Sequence, residues 1–474
     1  MADGLQTIPL WINSKEEQSA ETFSVINPDT DTECWNACSA SIDQAVTAIE
    51  AAKIAFPSWS TTKLAFREKL LLKAADLIEE RAAHLTKIMS TEMGIDVHLA
   101  PFFVTVTADF CRDLAGRVMT LQGTAPICRD EGRSAMVFKE PYGVMFGIVP
   151  WNAPYILGCR SIATAIATGN TTLIKGSEKT PRSFLELVKV FEDAGLPPGV
   201  VNLIYTEPSQ SALVVETIIR HPDVRKVNFT GSTEVGRAVA RVCGTNLKPC
   251  LMELGGKNSV IVLSDADLDL AASQCVMGGF MNAGQIRMST DRVLVMADIA
   301  EQFEQTVRNI LVDTFATQKL PNIISSASKQ RLAGMISDAA SHGARIINGD
   351  TSENNTENKS DGNQFVPIII GNITPSMQIW KDEAFGPVFS IRTVESEQEA
   401  VEAANDTTYG LNMSIFTKDL RKAFAIAKQL ECGMTVHDEG ALPFGGIRNS
   451  GWGRFNAAEG MEEFLVTKTV TWDD

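Results

Sequence analysis

Residues 278–295 run Gly-Gly-Phe-Met-Asn-Ala-Gly-Gln-Ile-Arg-Met-Ser-Thr-Asp-Arg-Val-Leu-Val, and the reading of the whole chain turns on them. At the centre, just beyond Gly284-Gln285, stands Arg287. A guanidinium offers only donors and stays cationic at any accessible pH, so it forms no covalent adduct with a carbonyl carbon. Ser289 and Thr290 lie close by, but a hydroxyl needs a neighbouring base to act as a nucleophile, and His437 is the one candidate. Cys275, twelve positions upstream of Arg287, is expected on a helix as a small buried hydrophobe and not as a reactive thiol.

The 474 residues, 44% hydrophobic and 21% charged, are ordinary for a globular protein with two or three domains. A net charge of −16 argues against nucleic acid as a partner, because phosphate binding rests on clustered Lys and Arg. The nine cysteines are scattered without paired C-x-x-C spacing, so no metal site and no disulfide framework is expected. The N-terminal stretch lacks a charged lead followed by an apolar core, and no apolar run reaches spanning length. The expectation is a cytoplasmic protein with no membrane partner. Asn354 and Asn358 begin glycosylation-like triplets inside a polar, turn-rich loop at 349–363.

Upstream of the central stretch, residues 8–12 and 23–26 are β-type runs, followed by the turn Asn27-Pro28-Asp29. Ser41 sits at an N-cap position before a helical pattern that is expected to stop near Pro57, and one longer helix is expected over 63–92. Residues 121–140 are polar and strand-like. A buried strand then runs into Pro150-Trp151-Asn152-Ala153-Pro154, where Asn152 by itself is a turn residue between prolines. Residues 171–175 form another buried strand carrying Lys175, with Glu178 three positions on; taken alone these two are a solvated ion pair. The strand at 226–229 leads into Thr230-Gly231-Ser232-Thr233 and a helix containing Gly236, a turn that aims backbone amides at a phosphate. Glu253 precedes Leu254-Gly255-Gly256-Lys257-Asn258, and Glu383 opens Glu-Ala-Phe385-Gly386-Pro387. Strands alternating with helices predict an α/β, doubly wound architecture.

These pieces, in this order from about residue 8 to the end, resemble the NAD(P)-dependent aldehyde dehydrogenases, and Gly-Gln-Ile-x-Met-Ser-Thr with Leu442-Pro443-Phe444-Gly445-Gly446 is most similar to the salicylaldehyde and vanillin type. The resemblance implies a Rossmann-type cofactor domain (1–120 and 141–252), an α/β catalytic domain (253–440) and a small β oligomerisation extension (121–140 and 456–474). It also implies a homodimer or homotetramer. In such a protein Asn152 polarises the substrate oxygen and Glu253 acts as general base. Trp151, Lys175, Glu178, Gly231, Ser232, Gly236, Glu383 and Phe385 bind the cofactor. An acidic Glu178 implies NAD, with NADP disfavoured.

Three departures from the family pattern accompany the likeness. Arg287 occupies the position of the family's nucleophilic cysteine. Gly176 replaces a common proline, which is expected to loosen the turn after Lys175. The segment 433–443 is shorter by roughly half a dozen residues. The expected function is therefore an NAD-linked oxidoreductase acting on an aldehyde or alcohol group of a small molecule, aromatic ones included, without the thiohemiacetal step. A non-redox isomerase or lyase, or an inactive binding homologue, are the alternatives.

Overall fold

A computed structural model describes residues 5–315, 320–347, 362–435 and 440–474. His437 and the glycosylation-like triplets at Asn354 and Asn358 lie outside these residues. No helix among the described residues is long and apolar enough to cross a membrane.

Two sheets organise the chain. In the larger, five parallel strands lie in the order Cys250–Glu253, Val224–Thr230, Val144–Ile148, Thr171–Lys175, Val201–Ile204, with short antiparallel strands at both edges. Numbered along the chain, this is the 5-4-1-2-3 arrangement of a doubly wound dinucleotide-binding sheet. Its strands are apolar on both faces because helices cover both; Phe146, Leu173, Ile174, Leu203 and Val227 are all buried. The order reverses between Val144–Ile148 and Val224–Thr230, which puts the ligand crevice at the carboxyl ends of those strands.

The second sheet has six strands, ordered Arg345–Ile346, Ile368–Gly371, Val388–Val394, Arg292–Met296, Ser259–Val262 and Met413–Phe416, all parallel except the first. Residues 253–258 leave the carboxyl edge of the first sheet and enter the amino edge of the second, so the loops before Arg292 and Val388 face the crevice. A separate two-stranded ribbon pairs Arg133–Pro141 with Leu465–Asp473.

Local differences from the sequence expectations have identifiable causes. The first long helix, capped by Ser41 through a capping box with Gln44, continues through Pro57 to Ser60. Arg67 holds its last carbonyls, reaching Trp59 O at 3.2 Å and Ser60 O at 2.9 Å, so the turn beyond the proline is satisfied. The expected single helix over 63–92 is two, Leu64–Glu80 and Ala82–Met93, broken at Arg81, although the apolar periodicity runs through both. Within 121–140 the strand begins only at Arg133; earlier residues make one bridge, Thr124 to Val137, and Gly132 turns at φ +75°.

Candidate active site

Asn152 follows the strand Val144–Ile148, and the backbone there is anchored by Val149 N donating to Lys175 O at 3.1 Å. The Asn152 side chain is buried. Its amide nitrogen donates to Gln285 O at 3.0 Å, and its own carbonyl accepts from Asn282 Nδ2 at 3.1 Å. Asn152 Oδ1 has no hydrogen-bond partner among the described residues. An unsatisfied buried acceptor costs roughly 1–3 kcal/mol, which is tolerable where a ligand completes the bond.

The central stretch approaches Asn152 on strained backbone. Asn282 and Ala283 are both left-handed, at φ +49° and +57°, and Gly284 follows at +66°. Gln285 locks the loop with its side chain, donating to Asn282 O and Asn322 O at 3.1 Å each and accepting from Ile324 N at 2.9 Å. Asn258 Nδ2 donates to Arg287 O at 2.7 Å and to Ser289 O at 2.9 Å. The backbone at 287 is thus fixed from two sides.

The Arg287 side chain turns inward, 7% exposed. Its Nη1 donates to Gly231 O at 2.8 Å, and its Nε stands 3.6 Å from Glu253 Oε1 without a hydrogen bond of its own. Glu253, 2% exposed at the end of Cys250–Glu253, also pairs through Oε2 with Arg160. Arg160 lies on the apolar helix Pro154–Ala167, bonds Thr230 Oγ1 at 3.3 Å, and stacks its guanidinium 4.1 Å from the Phe455 ring. The sequence reading missed Arg160. The available signal was a single arginine among the thirteen uncharged residues of that helix.

At the carboxyl end of Val224–Thr230, Gly231 N donates to Glu253 O at 3.1 Å, and Ser232 caps the helix Thr233–Thr245 by accepting from Val235 N at 3.4 Å. The free amides of that helix start, with the positive end of its dipole, make an anion seat. Gly236 packs against Leu254, where a Cβ would collide. The Lys175 side chain is buried and its ammonium makes no hydrogen bond or ion pair among the described residues; burial holds that ammonium below the usual lysine range, partly offset by the charge of Glu178. Glu178 is partly buried and accepts from Ser177 Oγ at 3.3 Å, so it is not in contact with Lys175 as an ordinary ion pair. A buried, unpartnered ammonium beside an anion seat fits a nucleotide ribose or phosphate. Gly176 does not loosen its turn. Its N–H donates to Ile204 O at 3.0 Å, a bond proline cannot make, and a Cβ there would come within 2.7 Å of Phe184.

From the second sheet, Glu383 Oε1 accepts from Gly256 N at 3.1 Å. Burial raises its carboxyl above the usual range, and the Arg287 charge opposes that rise. Phe385, strained at φ +46°, meets Trp151 edge to face at 5.9 Å. Cys275 lies buried on Leu268–Phe280, its thiol pushed up by burial, and Ser289 Oγ donates to Gly284 O at 3.1 Å. No cluster of three or more metal-ligating side chains is found among the described residues.

The aldehyde dehydrogenase family model matches residues 11–470. A vanillin dehydrogenase from a Pseudomonas species is 36% identical over 98% of this chain and 97% of its own length. Among solved structures, a salicylaldehyde dehydrogenase from Pseudomonas putida in complex with salicylaldehyde superposes with a TM-score of 0.94 at 31% identity, covering 99% of this chain and 98% of that one. A betaine aldehyde dehydrogenase from Staphylococcus aureus in complex with NAD+ gives 0.92 at 30% identity, covering 99% and 95%. With its fold and this full-length likeness in agreement, the chain belongs to the aldehyde dehydrogenase family.

Proposed function

We propose that the chain is an NAD-linked oxidoreductase in which Arg287 stands at the family's nucleophile position, and that it works on a small, aromatic alcohol or hydrated aldehyde without a covalent intermediate. The observation that carries this reading is the buried, unpartnered Oδ1 of Asn152, on the side chain whose amide nitrogen is anchored to Gln285 O. It is an acceptor. It suits a substrate hydroxyl, which donates, whereas a thiohemiacetal oxyanion needs donors. The aromatic class is supported by the likeness to the vanillin and salicylaldehyde enzymes.

In this arrangement Lys175, Glu178 and Ser232 hold the nucleotide, Gly231 and Gly236 let it approach, and Trp151, Glu383 and Phe385 border its reacting end. NAD, when bound, supplies the hydride acceptor. The residues of this chain orient the hydroxyl on Asn152 Oδ1 and exclude water; oxidation of an alcohol releases one hydride and one proton, the latter to solvent. Glu253, with each oxygen facing a guanidinium, is not free to activate water. That same clamp favours one competing reading, a nucleotide-binding protein without turnover. Glu178 supports NAD over NADP through repulsion of a 2′-phosphate.

We also infer a homodimer or homotetramer. Met136, Phe138, Val466, Val470 and Trp472 are all exposed and share one face of the two-stranded ribbon, in which the outer edge of Leu465–Asp473 is unpaired among the described residues and that of Arg133–Pro141 carries only the Thr124 bridge.

Titration calorimetry with NAD and NADP, followed by absorbance assays for NADH formation or loss with benzyl-type alcohols and aldehydes, tests the reading. Expected are tighter NAD binding and slow hydride exchange insensitive to thiol-blocking reagents. Binding without exchange establishes the competing reading, and thiol-sensitive turnover sinks both. Sedimentation of the same sample should show a species heavier than the 51.4 kDa monomer.

A further inference from the structure

Arg287 changes the charge of the site as well as its nucleophile. Four charged groups meet there: Arg160 and Arg287 on one side of the balance, Glu253 and Glu383 on the other. Their sum is zero. The next buried charges are Lys257, paired with Asp291 at 2.7 Å, and Arg292 beside them, which together add a further +1. An uncharged residue at position 287 would leave the four at −1, a setting matched to one cationic ligand group.

The position of the guanidinium makes this consequential. Arg287 Nη1 is bonded to the carbonyl of Gly231, the residue immediately before the Ser232 cap. Gly231 follows the strand next to the one that Asn152 follows, so a dinucleotide seated on that helix start and directed toward Asn152 runs along the edge that the guanidinium reaches. The oxidised nicotinamide ring carries a positive charge and the reduced ring carries none, while the rest of the molecule is unchanged.

We infer that Arg287 sets the redox preference of the dinucleotide, so that this site takes the reduced form over the oxidised one. The inference rests on the nucleotide reading above and adds a direction to it. A site that favours the reduced cofactor is poised for carbonyl reduction, in which the carbonyl carbon gains a hydride from the reduced dinucleotide and the oxygen gains a proton from solvent. Two like charges about 5–6 Å apart at an effective dielectric near 20 correspond to a discrimination on the order of a hundredfold, and partial neutralisation by Glu253 and Glu383 brings the expectation to at least about tenfold.

The test is equilibrium binding of ADP-ribose, NAD+ and NADH to the full chain by calorimetry, with Arg287→Gln and Arg287→Lys alongside. The unmodified protein should bind NADH at least about tenfold more tightly than NAD+. Arg287→Lys should keep that ratio, because it keeps the charge. Arg287→Gln should lower it at least about tenfold while leaving ADP-ribose affinity within about threefold. A ratio near one in the unmodified chain, or an undiminished ratio in Arg287→Gln, overturns the inference while the nucleotide reading stands if ADP-ribose binds. Failure of ADP-ribose to bind removes both. The unmodified ratio is decisive against the inference even where a variant does not fold.

Discussion

The carboxyl edge of the five parallel strands and the amino edge of the second sheet face each other across one crevice, yet they present opposite situations. The first offers unfilled capacity: Lys175 buried without a partner, and the open amides ahead of Thr233–Thr245. The second fills the space it faces, since Arg287 reaches across to Gly231 O and Glu253. A ligand arriving at the first edge gains bonds that the protein lacks, whereas one arriving at the second must compete with bonds already made. Under the proposed function, the half that seats the nucleotide can keep its bonds while the side chains opposite it change, because each half hangs on its own sheet.

The contrast breaks most sharply at Glu253, where the two edges share a carboxylate. Arg160→Met removes the nearer guanidinium and leaves a buried charge facing Arg287 alone, 3.6 Å away and without a hydrogen bond from Nε. Breaking one side of a buried ion pair costs about 3–5 kcal/mol, so the denaturant midpoint should fall by a corresponding amount. Adding Glu253→Gln should restore most of it. A loss under about 1 kcal/mol from Arg160→Met would mean that Arg287 compensates Glu253 unaided, and the two edges would then be one electrostatic unit.

Lys175 gives a smaller effect with two signs. Lys175→Met should weaken NAD binding by about ten- to a hundredfold, the equivalent of one charge-assisted hydrogen bond. The same change should stabilise the free protein, because the ammonium is buried without a partner. The pH dependence follows from the direction of its shift. A lysine whose folded pKa lies below the unfolded value contributes fully to stability only above the unfolded value, and that contribution is lost as pH falls through the folded one. Unfolding free energies of the two proteins should therefore converge between neutral pH and about pH 10.5. Parallel curves would show that Lys175 is already satisfied, and the nucleotide edge would lose its open position.

The strand, turn and helix start that carry the proposed nucleotide residues were legible in the sequence for a physical reason. Strand, turn and helix N-terminus are local patterns, and Lys175, Gly231, Ser232 and Gly236 each sit at a position their turn dictates. Long-range partners were not legible. Arg160 reaches Glu253 across 93 positions, and nothing in a helix of alanines and isoleucines tells which carboxylate a lone arginine meets. Gly176 was misjudged because its requirement comes from Phe184, Tyr205 and Ile204, not from its neighbours. The break at Arg81 escaped because apolar spacing survives a change of helix direction.

The smallest expected effect is the most informative about the second edge. Arg287→Cys places a thiol where the backbone is held by Asn258, but the groups that a thiol needs are committed elsewhere. One amide hydrogen of Asn152 is taken by Gln285 O, and Glu253 remains paired with Arg160. Losing a nucleophile in a covalent enzyme costs on the order of 10⁶ in rate, while displacement of a reacting group by about 1 Å costs roughly 10²-fold. The variant should therefore show thiol-sensitive ester hydrolysis and only marginal NADH formation from aromatic aldehydes, at least about a hundredfold below an intact member of the family assayed in parallel. Full aldehyde oxidation by Arg287→Cys would show that Asn152 and Glu253 reorganise freely once the guanidinium is gone, and that the second edge differs from the rest of the family by a single side chain.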